Sequence, residues 1–407
     1  MIENRLRGAD CVRASACLIV VFHHLAQRVD WRADMGVFDF ARFFVATGGF
    51  GVGTFFVLSG FLLARPFWQA LDRGEPMPNL GTYALRRAAR ILPGFWLALT
   101  VSFLVSITVF GLRPDAWLIA RYLAGLFLVS DWHWTSFFPV EINGPLWSIG
   151  FEVSSYLMLP IGFAAVFALF RSKSKPLLSR VAWLGVIAAA LALHSLFAML
   201  VPVPAIGRGF DYGLQGGAKV WMPLFNPFGF FAMFAIGALA GGAQVMLARY
   251  RSWLFDLLAV AALAGIAMLL FQQAEERTNE AWGVFEVPYA YPVFQLLVGA
   301  LLATAPSSML GGRLLDNPPM RYVARISFGI YVWHMLILEL VRVYWMPELD
   351  YGALRTPLAF ASASVVVIAT TFVVAALSFR YIEAPVTAWA RRLEPRPSTP
   401  TLSPAAG

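Results

Sequence analysis

The sequence predicts an all-α fold: a polytopic membrane helical bundle of about ten transmembrane helices plus one half-inserted helix, with both termini cytoplasmic. Three observations carry this expectation. Of 407 residues, 59% are hydrophobic and only 13% charged, against about 25% charged in an ordinary soluble domain. With Gly counted and Tyr left out, as in the usual average, the apolar share is 64%, against roughly 45–50%. Finally, the apolar residues fall in runs of bilayer-spanning length, parted by short segments rich in Lys and Arg. Such a chain is not a soluble globule, and disorder, a disulfide scaffold and a β-barrel fall with it. The two cysteines, Cys11 and Cys17, lie within the first run and are too few for a disulfide framework or a metal site. A net charge of +8 in a soluble protein would suggest nucleic acid; here it reads as a topology signal.

Taken in order, the candidate spans are 10–29, 44–64, 91–111, 146–170, 181–201, 223–247, 253–272, 289–306, 327–346 and 357–380. The first follows Arg5 and Arg7, contains Arg13, His23 and His24, and lacks a small-x-small cleavage site, so it reads as retained rather than as a signal peptide. The second, GGFGVGTFFVLSGFLLAR, is Gly-rich at its outer half, which suits close helix packing. The stretch 114–131 is short and carries Arg121, so it reads as a half-inserted or interfacial helix. With the N-terminus inside, the cytoplasmic segments hold 20 Lys and Arg and the opposite loops 10, with Arg13 inside a span. That excess places both ends in the cytoplasm. The chain divides into an integral membrane domain, 1–385, and a cytoplasmic tail, 386–407, whose Pro-rich end reads as disordered, with no soluble domain appended.

Ionisable groups within spans cost on the order of 2.5–3.5 kcal/mol each, so each needs a partner or a task. Arg13 and His24 are eleven residues apart, which places them on one helical face and about 16.5 Å apart along the axis. Asp10, one turn before Arg13, is its natural ion-pair partner. His24 suits a general base near neutral pH, although a packing histidine is the plainer reading. Glu152 in the fourth span lies at a similar depth and is expected to meet His24 and orient its ring; hydrogen bonding to neighbouring helices is the alternative. Ser59 offers an interhelical hydrogen bond. Arg86, Arg87 and Arg90 cluster at the cytoplasmic face, suited to a phosphorylated ligand or to lipid headgroups. His334 sits at mid-membrane and Glu383 ends the last helix, whereas His133 and His194 read as structural.

These pieces, in this order, resemble acyltransferase family 3, bacterial inner-membrane enzymes that O-acylate glycans and some small molecules. The matching segments are LRGADCVRASACLIVVFHHL, with Arg13 and His24 in an Arg-x10-His arrangement, FFVLSGFLL, RRAARILPGFW, with Arg87 and Arg90 as Arg-x-x-Arg, GPLWSIGFE, which contains Trp147, ISFGIYVWH and YIEAP. The chain departs from the family pattern at Cys11-Val12, where Gly-Leu is usual, at Gly150, where Ser precedes the Glu, and at Met335, where Pro is common.

The resemblance implies transfer of an acyl group, acetyl foremost, from acyl-CoA as co-substrate to a saccharide or other hydroxyl acceptor. It implies that His24 is essential and that the arginines engage the donor; with the reading of the polar residues above, the candidate site is His24 and Glu152 as catalytic residues, Arg13, Arg86, Arg87 and Arg90 as donor-binding residues, and Asp10, Ser59, Trp147, His334 and Glu383 in support. His24 then acts either as general base or as a transient acyl carrier. No metal and no bound cofactor are expected, and the partners are the donor, the acceptor and the bilayer, with no nucleic acid. Acceptor choice is expected to rest on the outer loops 30–43, 131–145, 202–222 and 273–288, where Trp132, Trp134, Trp221 and Trp282 stack on sugar rings or form an interfacial belt. A proton-coupled transporter of an anionic solute is the alternative from another class; against it stands the lack of an inverted repeat.

Overall fold

A computed structural model of the chain describes residues 6–30, 38–170, 175–276 and 280–394. Among the described residues every regular element is helical, with one isolated bridge between Val29 and Leu354. In chain order the α-helices are α1 (Ala9–Ala26), α2 (Phe38–Thr47), α3 (Gly49–Asp72), α4 (Leu80–Thr108), α5 (Ala116–Leu126), α6 (Trp147–Phe170), α7 (Pro176–Leu200) and α8 (Gly213–Trp221). They continue as α9 (Pro227–Leu247), α10 (Trp253–Glu276), α11 (Val293–Thr304), α12 (Gly311–Leu315), α13 (Pro318–Tyr344), α14 (Pro357–Ser378) and α15 (Ala384–Arg392).

Nine helical segments among the described residues are long and apolar enough to cross a bilayer: α1, α3, α4, 144–170, α7, α9, α10, α13 and 357–392. The run expected to span at 289–306 is instead the short segment Val293–Ser307. At 1.5 Å per residue it extends about 22 Å, less than a hydrocarbon core of about 30 Å. The residues before it are used in a folded turn, where the Tyr289 N–H donates to the Glu280 carbonyl and the Ala290 N–H to the Ala281 carbonyl. α11 packs against α3, α9 and α10, so these irregular ends are buried in protein, where such backbone is tolerated. The stretch 114–131 forms the 11-residue α5, about 16 Å long. Its Arg121 is buried, ion-paired with Glu141 at 2.5 Å and donating to the Phe138 carbonyl at 2.8 Å.

The centre of the bundle is the pair α3 and α9. A Cβ on Gly60 would lie 1.9 Å from the Phe234 carbonyl oxygen, and one on Gly237 1.9 Å from that of Val57. Only glycine permits this backbone contact, the small-residue packing that membrane helices use in place of a hydrophobic driving force. α7 and α10 lie at the periphery with large apolar side chains outward, such as Met199 and Met268.

α1 and α13 run parallel in fixed register. Cys17 Sγ donates to the Ser327 carbonyl, His24 meets His334, and Arg28 donates to Glu339 at 2.7 Å. α3 is antiparallel to α1: the Gly48 position abuts the His23 side chain, and Gly51 abuts Ala16 and Val20. The face where α1 and α13 begin is here termed proximal, and the face where they end distal.

Two helices run further toward the proximal face than hydropathy indicates. α13 starts nine residues before the expected 327, because the Asn317 side chain accepts from the Met320 N–H and Pro318 and Pro319 occupy a first turn that needs no donor. The last helix continues through the wider turn Phe379–Glu383 into α15. The domain boundary expected at 385 therefore falls inside a helix, and residues 386–392 are helical rather than tail. i→i+5 bonding keeps the chain wound there, and Thr387 and Glu394 fix α15 against α4 through the Ala89 carbonyl and Arg86. The rest of the expected tail, 395–407, lies outside the described residues.

Candidate active site

α1 and α13 carry the polar residues of the site in the same vertical order. From the proximal end, α1 presents Asp10, Arg13 and His24, and α13 presents Arg321, Arg325, Ser327, Tyr331 and His334. Thirteen residues of helix place His334 about 20 Å above Arg321.

Two cavities follow this ladder. The proximal one, about 400 Å³, is lined by Arg13, Arg90, Arg321, Arg325 and Arg391, with Asp10 as the one carboxylate in its lining among the described residues. The second, about 100 Å³, lies deeper and shares Arg13 and Arg90 with the first. Its walls are Arg87 and Ile91 of α4, Ser148, Glu152 and Tyr156 of α6, Ser327, Phe328 and Tyr331 of α13, and a face of α3 from Val52 to Leu63. Eleven residues of α3 give it a depth of about 16 Å. Arg13 and Arg90 thus stand at the neck between a wide basic chamber and a narrow passage.

Within the passage the Ser59 hydroxyl donates to Glu152 at 3.2 Å, and the Tyr156 hydroxyl donates to the same carboxylate oxygen. The Tyr83 hydroxyl donates to the Tyr156 carbonyl at 3.0 Å. At the distal end Phe55 and Tyr331 meet edge to face, ring centres 5.9 Å apart, and the Tyr331 hydroxyl bonds Ser148 at 2.6 Å and the Pro145 carbonyl at 3.0 Å.

His24 lines neither cavity. It stands beyond Tyr331, where its Nδ1 lies 2.9 Å from the Val20 carbonyl and 3.1 Å from His334 Nε2. His334 is buried, with Nδ1 2.7 Å from the Tyr331 carbonyl. His23 turns to the other side, its Nδ1 3.0 Å from the Phe44 carbonyl and its Nε2 3.1 Å from Gln27.

The structure therefore brings together Arg13, Ser59, Arg87, Arg90 and Glu152, with Asp10 at the mouth. It does not join His24 to Glu152 as the sequence reading expected. α6 packs on α3 and α9 while α1 packs on α3 and α13, so α3 separates the two elements and each side chain takes a partner on a nearer helix. Arg86 is also set apart from the other arginines. It points to the proximal surface and is bound to Glu394 at 2.7 and 2.5 Å. Trp147 lies outside the cavities, stacked on Phe137 at 5.2 Å in an aromatic cluster with Trp221 and Phe225. Glu383 is fully buried beside Gly94, one turn from Arg90, accepting from Ser378 at 3.4 Å, and its Oε2 has no hydrogen-bond partner among the described residues.

Of the loop aromatics, Trp221 is packed and donates to Glu280 at 2.9 Å, whereas Trp132 and Trp282 are exposed. Trp134 lies beneath Lys219. His194 is buried, hydrogen-bonded to Asn226 and to the Phe285 carbonyl, and His133 bonds Thr135. Among the described residues no three His, Cys, Asp or Glu side chains are grouped to hold a metal.

The sequence reading missed Arg321, Arg325 and Arg391, having assigned 307–325 to a loop and 386–407 to a tail. Asn317-Pro318-Pro319 was the available signal: a cap residue followed by Pro in the first turn marks a helix start.

The polar ladder, the two adjoining cavities and the histidine pair are set in a helical frame that comparison places in a known family. Residues 6–377 match the acyltransferase domain, and the chain belongs to that family, acyltransferase 3. Among its relatives, the peptidoglycan O-acetyltransferase OatA of Listeria monocytogenes is 27% identical over 409 residues, covering 93% of this chain and 55% of the relative. The O-acetyltransferase OatA of Staphylococcus aureus is 23% identical over 400 residues, covering 94% of this chain and 57% of the relative. The chain thus spans little more than half the length of these relatives.

Proposed function

We propose that this protein is a membrane-embedded O-acyltransferase that moves an acyl group, acetyl foremost, from acyl-CoA to a hydroxyl of a cell-surface glycan. The observation that carries this reading is the basic chamber narrowing, at Arg13 and Arg90, into a passage of helical depth that ends beside the histidine pair. The relative named as a peptidoglycan O-acetyltransferase supports a glycan acceptor, and both OatA relatives support an acetyl group.

The proximal face, rich in Lys and Arg, is the cytoplasmic one by the positive-inside rule, so both ends of the chain lie inside. The donor's phosphates sit among Arg13, Arg90, Arg321, Arg325 and Arg391, since guanidinium groups bind phosphate oxygens in pairs and the five arginines outnumber the carboxylates near them. The pantetheine arm runs between α3 and α13, past Glu152 and Ser59, and its thioester reaches the Phe55 and Tyr331 rings. Displacement of these two side chains exposes the thioester to His24, which the acceptor approaches from the distal side.

His24 takes the proton of the acceptor hydroxyl as the oxygen attacks the thioester carbonyl. The C–O bond forms, the C–S bond breaks, and the proton returns to the leaving thiolate, giving an ester and free CoA. A thioester is activated enough for this exchange without a metal. Glu152, held by Ser59 and Tyr156, supplies fixed negative charge midway along the passage, and Asp10 and Glu383 counterbalance the arginines at its mouth.

The test is release of free thiol from acetyl-CoA by the purified full chain in lipid nanodiscs, with His24→Ala abolishing it at unchanged expression. A proton-coupled transporter of an anionic solute would use the same buried charges and release no thiol.

A further inference from the structure

The contact between His24 and His334 contains more information than a packing pair. His334 Nδ1 lies 2.7 Å from the Tyr331 carbonyl and 3.2 Å from that of Ile330. A carbonyl oxygen only accepts, so this nitrogen carries the proton and, in the neutral ring, His334 Nε2 carries a lone pair. The same logic holds for His24. Its Nδ1 lies 2.9 Å from the Val20 carbonyl, so Nδ1 is the protonated nitrogen there too. That N–H is shared between the Val20 oxygen and the lone pair of His334 Nε2 at 3.1 Å. The reverse arrangement, a proton on His334 Nε2 and a lone pair on His24 Nδ1, would set that lone pair against the Val20 carbonyl oxygen. His24 Nε2 is then the unprotonated nitrogen, and among the described residues no group engages it.

We propose that His334 is a positioning residue for transfer, the basic partner that holds His24 with Nε2 free and takes up positive charge when Nε2 gains the acceptor's proton. This rests on the reading of His24 as the group that receives that proton. As Nε2 is protonated the Nδ1–H becomes a stronger donor, and a second imidazole nitrogen opposite it accepts more strongly than a carbonyl alone. The arrangement corresponds to a nucleophile's base oriented by a third group, with a neutral ring in place of the usual carboxylate. A neutral partner suits a site buried on α13, where an isolated carboxylate would be costly. The tertiary fold supplies the alignment: Cys17 on Ser327 and Arg28 on Glu339 fix the α1–α13 register on both sides of the pair.

The experiment uses the full chain in nanodiscs, with acetyl-CoA as donor and 15N-labelled histidine. In the wild type, NMR is expected to find His24 protonated at Nδ1 and unprotonated at Nε2, with His334 Nε2 unprotonated. A proton on His24 Nε2 overturns the proposal. In the thiol-release assay, His334→Phe is expected to lower kcat by about 10- to 100-fold, at or below the lower end of the usual range for general acid–base effects because His334 acts through His24, with KM for acetyl-CoA unchanged. His334→Gln, which offers an amide oxygen near the same position, is expected to recover most of that loss. Wild-type turnover in His334→Phe overturns the proposal, as does a loss that raises KM equally and is not relieved by Gln. If His24→Ala is inactive while His334→Phe is not, only the positioning role fails; if His24→Ala is active, the reading of His24 fails as well.

Discussion

Arg86 and Arg90 lie one turn apart on α4 and look equivalent in the sequence, yet the structure assigns them opposite fates. Arg90 lines both cavities at their neck, whereas Arg86 points to the proximal surface and is held by Glu394 through two hydrogen bonds. If the chamber receives the donor's phosphates, Arg90→Ala removes one charged hydrogen-bonding group from a bound phosphate, a loss of about 1.5–3 kcal/mol. At 1.4 kcal/mol per factor of ten, donor affinity falls by about 10- to 150-fold. Arg86→Ala removes an exposed ion pair, worth about 0–1 kcal/mol to stability, and leaves donor affinity within about twofold. Titration of CoA into each full-length variant in nanodiscs at fixed ionic strength measures both. Equal losses in the two variants, or full affinity in Arg90→Ala, would refute the assignment of the chamber to the donor and favour lipid headgroups as the ligands of these arginines.

The remaining expectations are simpler to state. His23→Ala retains most transfer activity while His24→Ala loses it, because His23 is turned to Phe44 and Gln27 and away from His334; equal loss in both would remove the distinction. Glu152→Gln slows thiol release by roughly 10- to 100-fold, since it deletes the carboxylate charge in the passage while keeping an oxygen for Ser59 and Tyr156; an unchanged rate would make Glu152 structural. Gly237→Leu puts a Cβ 1.9 Å from the Val57 carbonyl oxygen, and because backbone cannot yield as a side chain does, the destabilisation reaches about 3 kcal/mol, the upper end for overpacking. Thermal unfolding in detergent reads this, and a wild-type midpoint would contradict the α3–α9 contact.

On the proposed reading, the ladder also separates binding charge from chemistry. Five guanidiniums surround the chamber, and the first histidines lie a helical passage away. Placing the charges at the mouth keeps them near water and lipid headgroups, where ionised groups cost least, and leaves the interior to groups that are neutral or held by hydroxyls.

How much of this was legible from the residues depended on the range of the forces involved. Hydropathy runs of bilayer length, set by the chain's own covalent pattern, determined the helical bundle, the short α5 and the stripe that carries Arg13 and His24. Clustering at a membrane face and depth within a span put Arg87, Arg90 and Glu152 among the candidates, and the cavities include all three. What periodicity cannot supply is which helices are neighbours. Glu152 found Ser59 and Tyr156 because α6 packs on α3, and His24 found His334 because Cys17 and Arg28 lock α1 onto α13 in register. Arg86 left the cluster for Glu394, while Arg321, Arg325 and Arg391 joined it, since helix ends were set by an Asn cap and by a widened turn rather than by apolar content. The sequence alone thus determined which segments enter the membrane, through a burial energy summed residue by residue. The tertiary structure alone decided which polar groups meet, because pairing depends on helix neighbours and register, and these are fixed by contacts between residues hundreds of positions apart.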